Sequence, residues 1–175
     1  MKIHNIICTF FGIGKAKFAP GTFGSLAAFP VWFLFDYLLK LSGLNDYFFY
    51  LFWLIFIVFL FFIGVKASNQ HAKNTGKKDA SEIVIDEVVG QLIAIFLSYY
   101  LVVDFIDSNL FLFIYFISIF LLFRFFDILK PSLIGYADKN FKDGFGVMVD
   151  DVFAGIFSAL IMNLILIITS LKLFY

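Results

Sequence analysis

The chain has 175 residues, 62% of them hydrophobic, with 28 Phe and a mean hydropathy of +0.98. A soluble domain of this length is closer to half apolar, and here the excess is gathered in long runs, the signature of membrane spans. A single cysteine, Cys8, excludes a disulfide framework and a CxxC metal knuckle, and the net formal charge of zero hides a strong asymmetry along the chain.

At the N-terminus, Lys2 and His4 precede a short apolar patch broken by Gly12 and Gly14. This does not read as a cleavable signal peptide, so the segment is expected in the mature chain. The stretch "FAPGTFGSLAAFP" follows. It reads as a Pro-Gly turn and a hydroxyl cap for a first helix. It also reads as a place where Thr22 and Ser25, with backbone N–H groups, could face a phosphate.

Five segments are then long enough to span: 24–41, 47–65, 87–103, 110–126 and 152–171. The first contains Pro30 and Asp36 and is the weakest, with a re-entrant path as its alternative. The polar stretches 66–86 and 127–151 are expected as long loops, and 42–46 and 104–109 as short ones. No repeat or low-complexity linker divides the chain. The reading is all-α: a single membrane domain, residues 1–175, built as a polytopic helical bundle.

With five spans, the N-terminal segment (1–23) and both long loops share one side. That side carries 11 of the 13 Lys and Arg and nine of the 13 Asp and Glu. The positive-inside rule places it in the cytoplasm. Most of the polar chemistry is therefore expected on the cytoplasmic face.

Asp86-Glu87 and Asp150-Asp151 each open a predicted helix, where acids cap orphan N–H groups and suit the dipole. Asp127 does not fit that account. Pro131 disfavours helical geometry at Lys130, so the fourth helix should end near Leu129 and leave Asp127 in a last turn that disfavours an anion. A local pair with Arg124 or Lys130 is the bland explanation, and a functional role the favoured one.

Small residues share a face with these acids: Gly90 and Ala94 with Asp86, Gly155 and Ala159 with Asp151, and Gly24 with Ala28. Such faces let membrane helices approach closely. Packing them together would gather Asp86, Glu87, Asp127, Asp150 and Asp151 at one mouth, where a hard cation, Mg²⁺ or Mn²⁺, is the natural occupant. His4 and His71 lie in predicted loops and are expected to be solvated. Metal-assisted attack by water suits this inventory best.

In order along the chain, "APGTFGSLAAFP", "IVIDEVVG", "FRFFDILKP" and "GFGVMVDDVFAG" resemble the phosphatidylglycerophosphatase A family over roughly residues 12–159. The resemblance implies a Mg²⁺-dependent lipid phosphatase of the bacterial cytoplasmic membrane. Such an enzyme takes the terminal phosphate from phosphatidylglycerophosphate to give phosphatidylglycerol. It carries over Asp86, Glu87, Asp127, Lys130, Asp150 and Asp151 as catalytic residues, the five acids among them as metal ligands. Arg124, Lys130, Thr22 and Ser25 would bind the substrate phosphate, with Asp150 a candidate general base.

Asp79 falls where the family tends to place an acid, and Leu133 stands where it often has proline. The implied partners are the substrate and membrane lipid, with no nucleic acid and no obligate protein partner. One rival is another membrane phosphotransferase, such as a CDP-alcohol transferase, whose DGxxAR signature is missing. The other is a transporter, which would need charges near mid-membrane.

Overall fold

The structure, a computed structural model, describes all residues except 1, 78–79, 106–107, 132–133, 135–142 and 174–175; the side chains of 100–105 and 170–173 are also undescribed. Asp79, Leu133, Asp138, Lys139 and Lys142 therefore lie outside the described residues. The described part is helical, with helices α1 (Ile3–Cys8), α2 (Pro20–Leu41), α3 (Asp46–Thr75), α4 (Ile85–Phe105), α5 (Asn109–Leu129) and α6 (Gly144–Leu173), plus a short 3₁₀ turn at Ile13–Lys15.

Local chemistry explains most boundaries. Thr9 donates its hydroxyl to the Asn5 carbonyl and accepts from the Gly12 N–H, folding the chain back after α1. Ala19 is left-handed and Pro20 supplies the first residue of α2, where its missing N–H costs nothing. Asn45 caps α3 by accepting from the Phe48 N–H. Gly76, at φ 74°, ends α3 with its N–H on the Ala72 carbonyl. Helix α5 stops at Leu129 before Pro131, as expected.

Three expectations are corrected. Residues 66–75 are not loop but the last turns of α3, because Ala67, Ser68 and His71 form a buried face. His71 is accordingly not solvated: its Nδ1 lies 3.2 Å from Asn5 Oδ1 and 3.6 Å from Cys8 Sγ, and its Nε2 lies 3.2 Å from Glu82. Asp150 and Asp151 do not open their helix. Helix α6 begins at Gly144, where Asp143 Oδ1 accepts from the Phe145 and Gly146 N–H groups. Both acids therefore sit about two turns inside it. Burial pushes the Cys8 thiol up, with the Glu82 charge adding to it, so this cysteine stays a neutral core residue.

Four helices, α2, α3, α5 and α6, are long and apolar enough among the described residues to cross a membrane. Helix α2 is continuous through Pro30, and 22 residues at 1.5 Å each reach about 33 Å, so a re-entrant path is unnecessary. Helix α4, the expected third span, has 21 residues and is not among these four; it forms the centre of the bundle instead. All residues from Val88 to Ile95 are buried. Outward faces carry Phe33, Leu34, Ile55, Phe59, Phe113, Ile117, Leu160 and Leu164, all exposed. An apolar belt of this extent marks a membrane protein.

The core is a stack of rings and small residues. Trp32 stacks on Trp53 at 4.1 Å between ring centroids, and Tyr99 meets Trp32 edge-on. Tyr115 of α5 and Ser98 of α4 share a buried hydrogen bond of 2.8 Å. The closest approach is between α4 and α6. A Cβ on Gly155 would collide with the Gly90 carbonyl oxygen, and one on Gly90 would come 2.6 Å from both the Asp151 carbonyl and the Phe123 ring. The predicted small-residue faces are therefore the packing faces.

Because backbone lies on both sides of this crossing, a methyl group has nowhere to go. Gly155→Ala is expected to lose about 1–3 kcal/mol, the usual cost of overpacking. Thermal unfolding of the purified protein in detergent would measure it. An unchanged midpoint would mean that the two helices are not in contact here.

Candidate active site

The charged residues of the site meet at one pole of the bundle, most of them delivered by helix ends. Asp86 and Glu87 occupy the first turn of α4. Arg124 and Asp127 lie in the last turns of α5, and Lys130 is the residue that terminates it. Asp150 and Asp151 come from the second and third turns of α6. The N-terminal segment closes the same pole, since the Val84 N–H donates to the Cys8 carbonyl at 2.8 Å.

Between these elements lies a cavity of about 580 Å³, walled by Asp86, Glu87, Arg124, Asp127, Lys130, Asp150 and Asp151, with Thr22 at its rim. All six expected catalytic residues thus face one space. They do not form one undivided cluster. Ligand oxygens of Asp86, Glu87 and Asp151 lie within 4.8 Å of one another. Asp127 instead pairs with Arg124, Oδ2 to Nη1 at 2.5 Å, and Asp150 with Lys130, Oδ2 to Nζ at 2.6 Å. The local pair considered for Asp127 is therefore present, and it lines the cavity.

These pairs are more than exposed surface bridges. The Arg124 and Asp127 side chains are 16% and 13% exposed, so water screens them little. Arg124 Nη1 also donates to Ser25 Oγ at 3.2 Å, and Ser25 in turn donates to the Gly21 carbonyl at 2.9 Å. Ser25 is fully buried and is not among the cavity-lining residues. Its place is behind Arg124, while Thr22 reaches the cavity. Lys130 holds a left-handed backbone, φ 44°, which a residue with a Cβ adopts at a cost. That turn aims its side chain back at Asp150.

Glycines let α2 approach the acids. Gly21 lies directly against Glu87 Oε1, and a Cβ on Gly24 would come 2.8 Å from Val84. The "PGTFG" stretch therefore supplies close approach to the carboxylates as well as a helix start. Asp86 Oδ1 and Glu87 Oε2 are buried without a hydrogen-bond partner. Three neighbouring carboxylates repel one another, and a hard cation among them would offset that repulsion and partner the orphaned Asp86 oxygen. The donor set is all oxygen, the ligand type that hard divalent cations prefer.

Gln91 is a residue that sequence reasoning passed over. It stands one turn beyond Glu87 on α4, fully buried, with neither amide atom partnered. A signal was available, as a polar side chain four residues from a site acid in an otherwise apolar run.

A family model described as phosphatidylglycerophosphatase A matches residues 6–166. A phosphatidylglycerophosphatase A of Escherichia coli is 32% identical over 162 residues, covering 92% of this chain and 82% of the relative. One from Haemophilus influenzae is 35% identical over 160 residues, covering 91% and 86%. A Bacteroides thetaiotaomicron protein, provisionally named a phosphatidylinositol-3-phosphatase, is 37% identical over 157 residues, covering 90% and 89%. No solved structure matches the chain. With a family model spanning nearly its whole length and relatives of this identity, the chain belongs to the phosphatidylglycerophosphatase A family.

Proposed function

We propose that this protein is a lipid phosphatase that hydrolyses the terminal phosphate monoester of phosphatidylglycerophosphate, releasing phosphatidylglycerol and phosphate. The observation that carries the reading is one cavity, at one pole of a membrane bundle, holding three clustered acids and two cations tethered by two further acids. A phosphomonoester dianion at headgroup depth is complementary to such a site, and the names of the family and of two relatives agree with it.

Asp86, Glu87 and Asp151 would hold Mg²⁺, with Asp127 and Asp150 bordering it. When bound, the ion polarises the phosphoryl group and acidifies water. The chain's own residues do the rest. Arg124 and Lys130 bind the phosphoryl oxygens, Arg124 as a planar fork and Lys130 as a point charge. Asp127, Ser25 and Asp150 hold these cations in place before substrate arrives, which lowers the reorganisation needed at the transition state. Asp150 has both oxygens engaged, Oδ2 by Lys130 and Oδ1 by the Asp151 N–H at 3.1 Å. That suits fixing Lys130 better than accepting a proton. The apolar belt would keep the acyl chains in the bilayer.

The excess of Lys and Arg on the segments meeting at this pole supports a cytoplasmic orientation in a bacterial inner membrane. Cysteines introduced at Lys77 and Lys139 should resist an impermeant thiol reagent in intact cells and label after lysis. Cys8 is fully buried and need not be removed. Labelling of either position before lysis would reverse the orientation.

Purified protein with synthetic lipid should release phosphate from phosphatidylglycerophosphate, stop in EDTA and recover with Mg²⁺. Phosphatidylinositol 3-phosphate belongs in the same assay because of the Bacteroides relative's name, and faster turnover of it would replace the proposed substrate. Full activity in chelator would overturn the metal assignment.

Asp127→Asn keeps shape and removes the anion that holds Arg124. A merely local pair would cost within about 1 kcal/mol of stability and leave turnover intact. The proposed role predicts a well-folded variant whose turnover falls at least about a hundredfold. Phosphate release against Mg²⁺ concentration, with a thermal unfolding control, separates the two.

A further inference from the structure

Four polar side-chain atoms of α4 and α5 are buried without hydrogen-bond partners: Glu87 Oε2, Gln91 Oε1, Gln91 Nε2 and Arg124 Nε. Their placement is connected. Glu87 lies against Gly21 of α2, Arg124 of α5 lies near that same glycine and bonds Ser25, and Gln91 follows Glu87 by one helical turn. Residues four apart on a helix are neighbours on its surface. An amide in a protein interior is costly unless its hydrogen bonds are made, and buried polar groups that lack protein partners are ordinarily served by ordered water.

The four atoms also complement one another. The carboxylate oxygen and the amide oxygen accept, whereas the amide nitrogen and the guanidinium nitrogen donate. We propose that they enclose a buried water site, and that Gln91 is a positioning residue which holds Glu87 and Arg124 in register through that water. The cavity-facing atoms of Glu87 and Arg124 would then be fixed from behind. A core that needed only apolar packing would be better served by leucine at this position, which makes the amide's presence informative.

The inference rests on the phosphatase reading for its kinetic arm and is independent of it for its structural arm. In the structural arm, X-ray radiolytic labelling coupled to mass spectrometry reports buried side chains beside ordered water. Labelling around Gln91 is expected in the wild type and should fall in Gln91→Leu. Absence of such labelling in the wild type would overturn the water site whatever the enzyme's substrate proves to be.

In the kinetic arm, Gln91→Leu should keep or raise the thermal midpoint while kcat for phosphate release falls about tenfold and KM stays within twofold. Gln91→Asn, which retains an amide, should recover part of kcat. Wild-type kcat in Gln91→Leu, or equal loss in both variants with lowered midpoints, would make Gln91 a packing residue and end the proposal. A wild-type protein that releases no phosphate from the lipid would count against the phosphatase reading alone, since the labelling result stands by itself.

Discussion

The backbone contact between Gly90 and Gly155 is the constraint on which the site depends. Helices carrying larger side chains pack some 8–10 Å apart between axes. Here neither residue has room for a methyl group, so α4 and α6 approach until main chain meets main chain. That approach sets the Asp151 carbonyl over Gly90 and brings the Asp151 carboxylate to the level of Asp86 and Glu87, one turn away on α4. The acids are together because the glycines beneath them are small. The gathering of like charges is unfavourable in itself, and the packing of a whole bundle opposes it.

Around that fixed centre the electrostatics are arranged in pairs. Each of the two cavity cations has its own acid, and the acid comes from a different relation in each case. Arg124 and Asp127 are three residues apart on one helix, a local contact. Lys130 and Asp150 are joined across helices, and the left-handed turn at Lys130 makes that reach possible. Strain of this kind persists only where surrounding structure imposes it. Pro131 on one side and the Asp150 pair on the other impose it here. The result is a pair of preoriented cations that share one cavity with the three clustered acids.

The N-terminal segment is tied to the same pole by a separate set of contacts. His71 bridges Asn5 and Cys8 on one ring nitrogen and Glu82 on the other, while Gly14 lies directly against the Glu82 carbonyl. Glu82 belongs to the short loop that leads into α4 and supplies Ala80, Ser81 and Ile83 to the cavity wall. A histidine remote from the cavity thereby helps to seat the entry to the helix that bears Asp86 and Glu87. Its buried surroundings, with a neutral thiol beside it, fit a scaffold role.

What the sequence determined by itself is the part governed by local rules. Run length and hydropathy marked four membrane-crossing helices and the central α4, Pro131 marked the end of α5, and four-residue spacing marked the packing faces of α4 and α6. Charge counting gathered the polar residues at one pole. These signals are local because desolvation, capping and helix periodicity act over a turn or two of chain. Tertiary structure decided the rest. Polar residues 66–75 stayed helical because α1 buries one face of them, and Asp150 and Asp151 moved inside a helix because Gly144 docks on Val65 and Asn69. Ser25 was turned from the cavity to Arg124, 99 residues away, and Gln91 was set behind Glu87. In each case the deciding partner is distant in sequence, so its distance and direction exist only once the helices have packed.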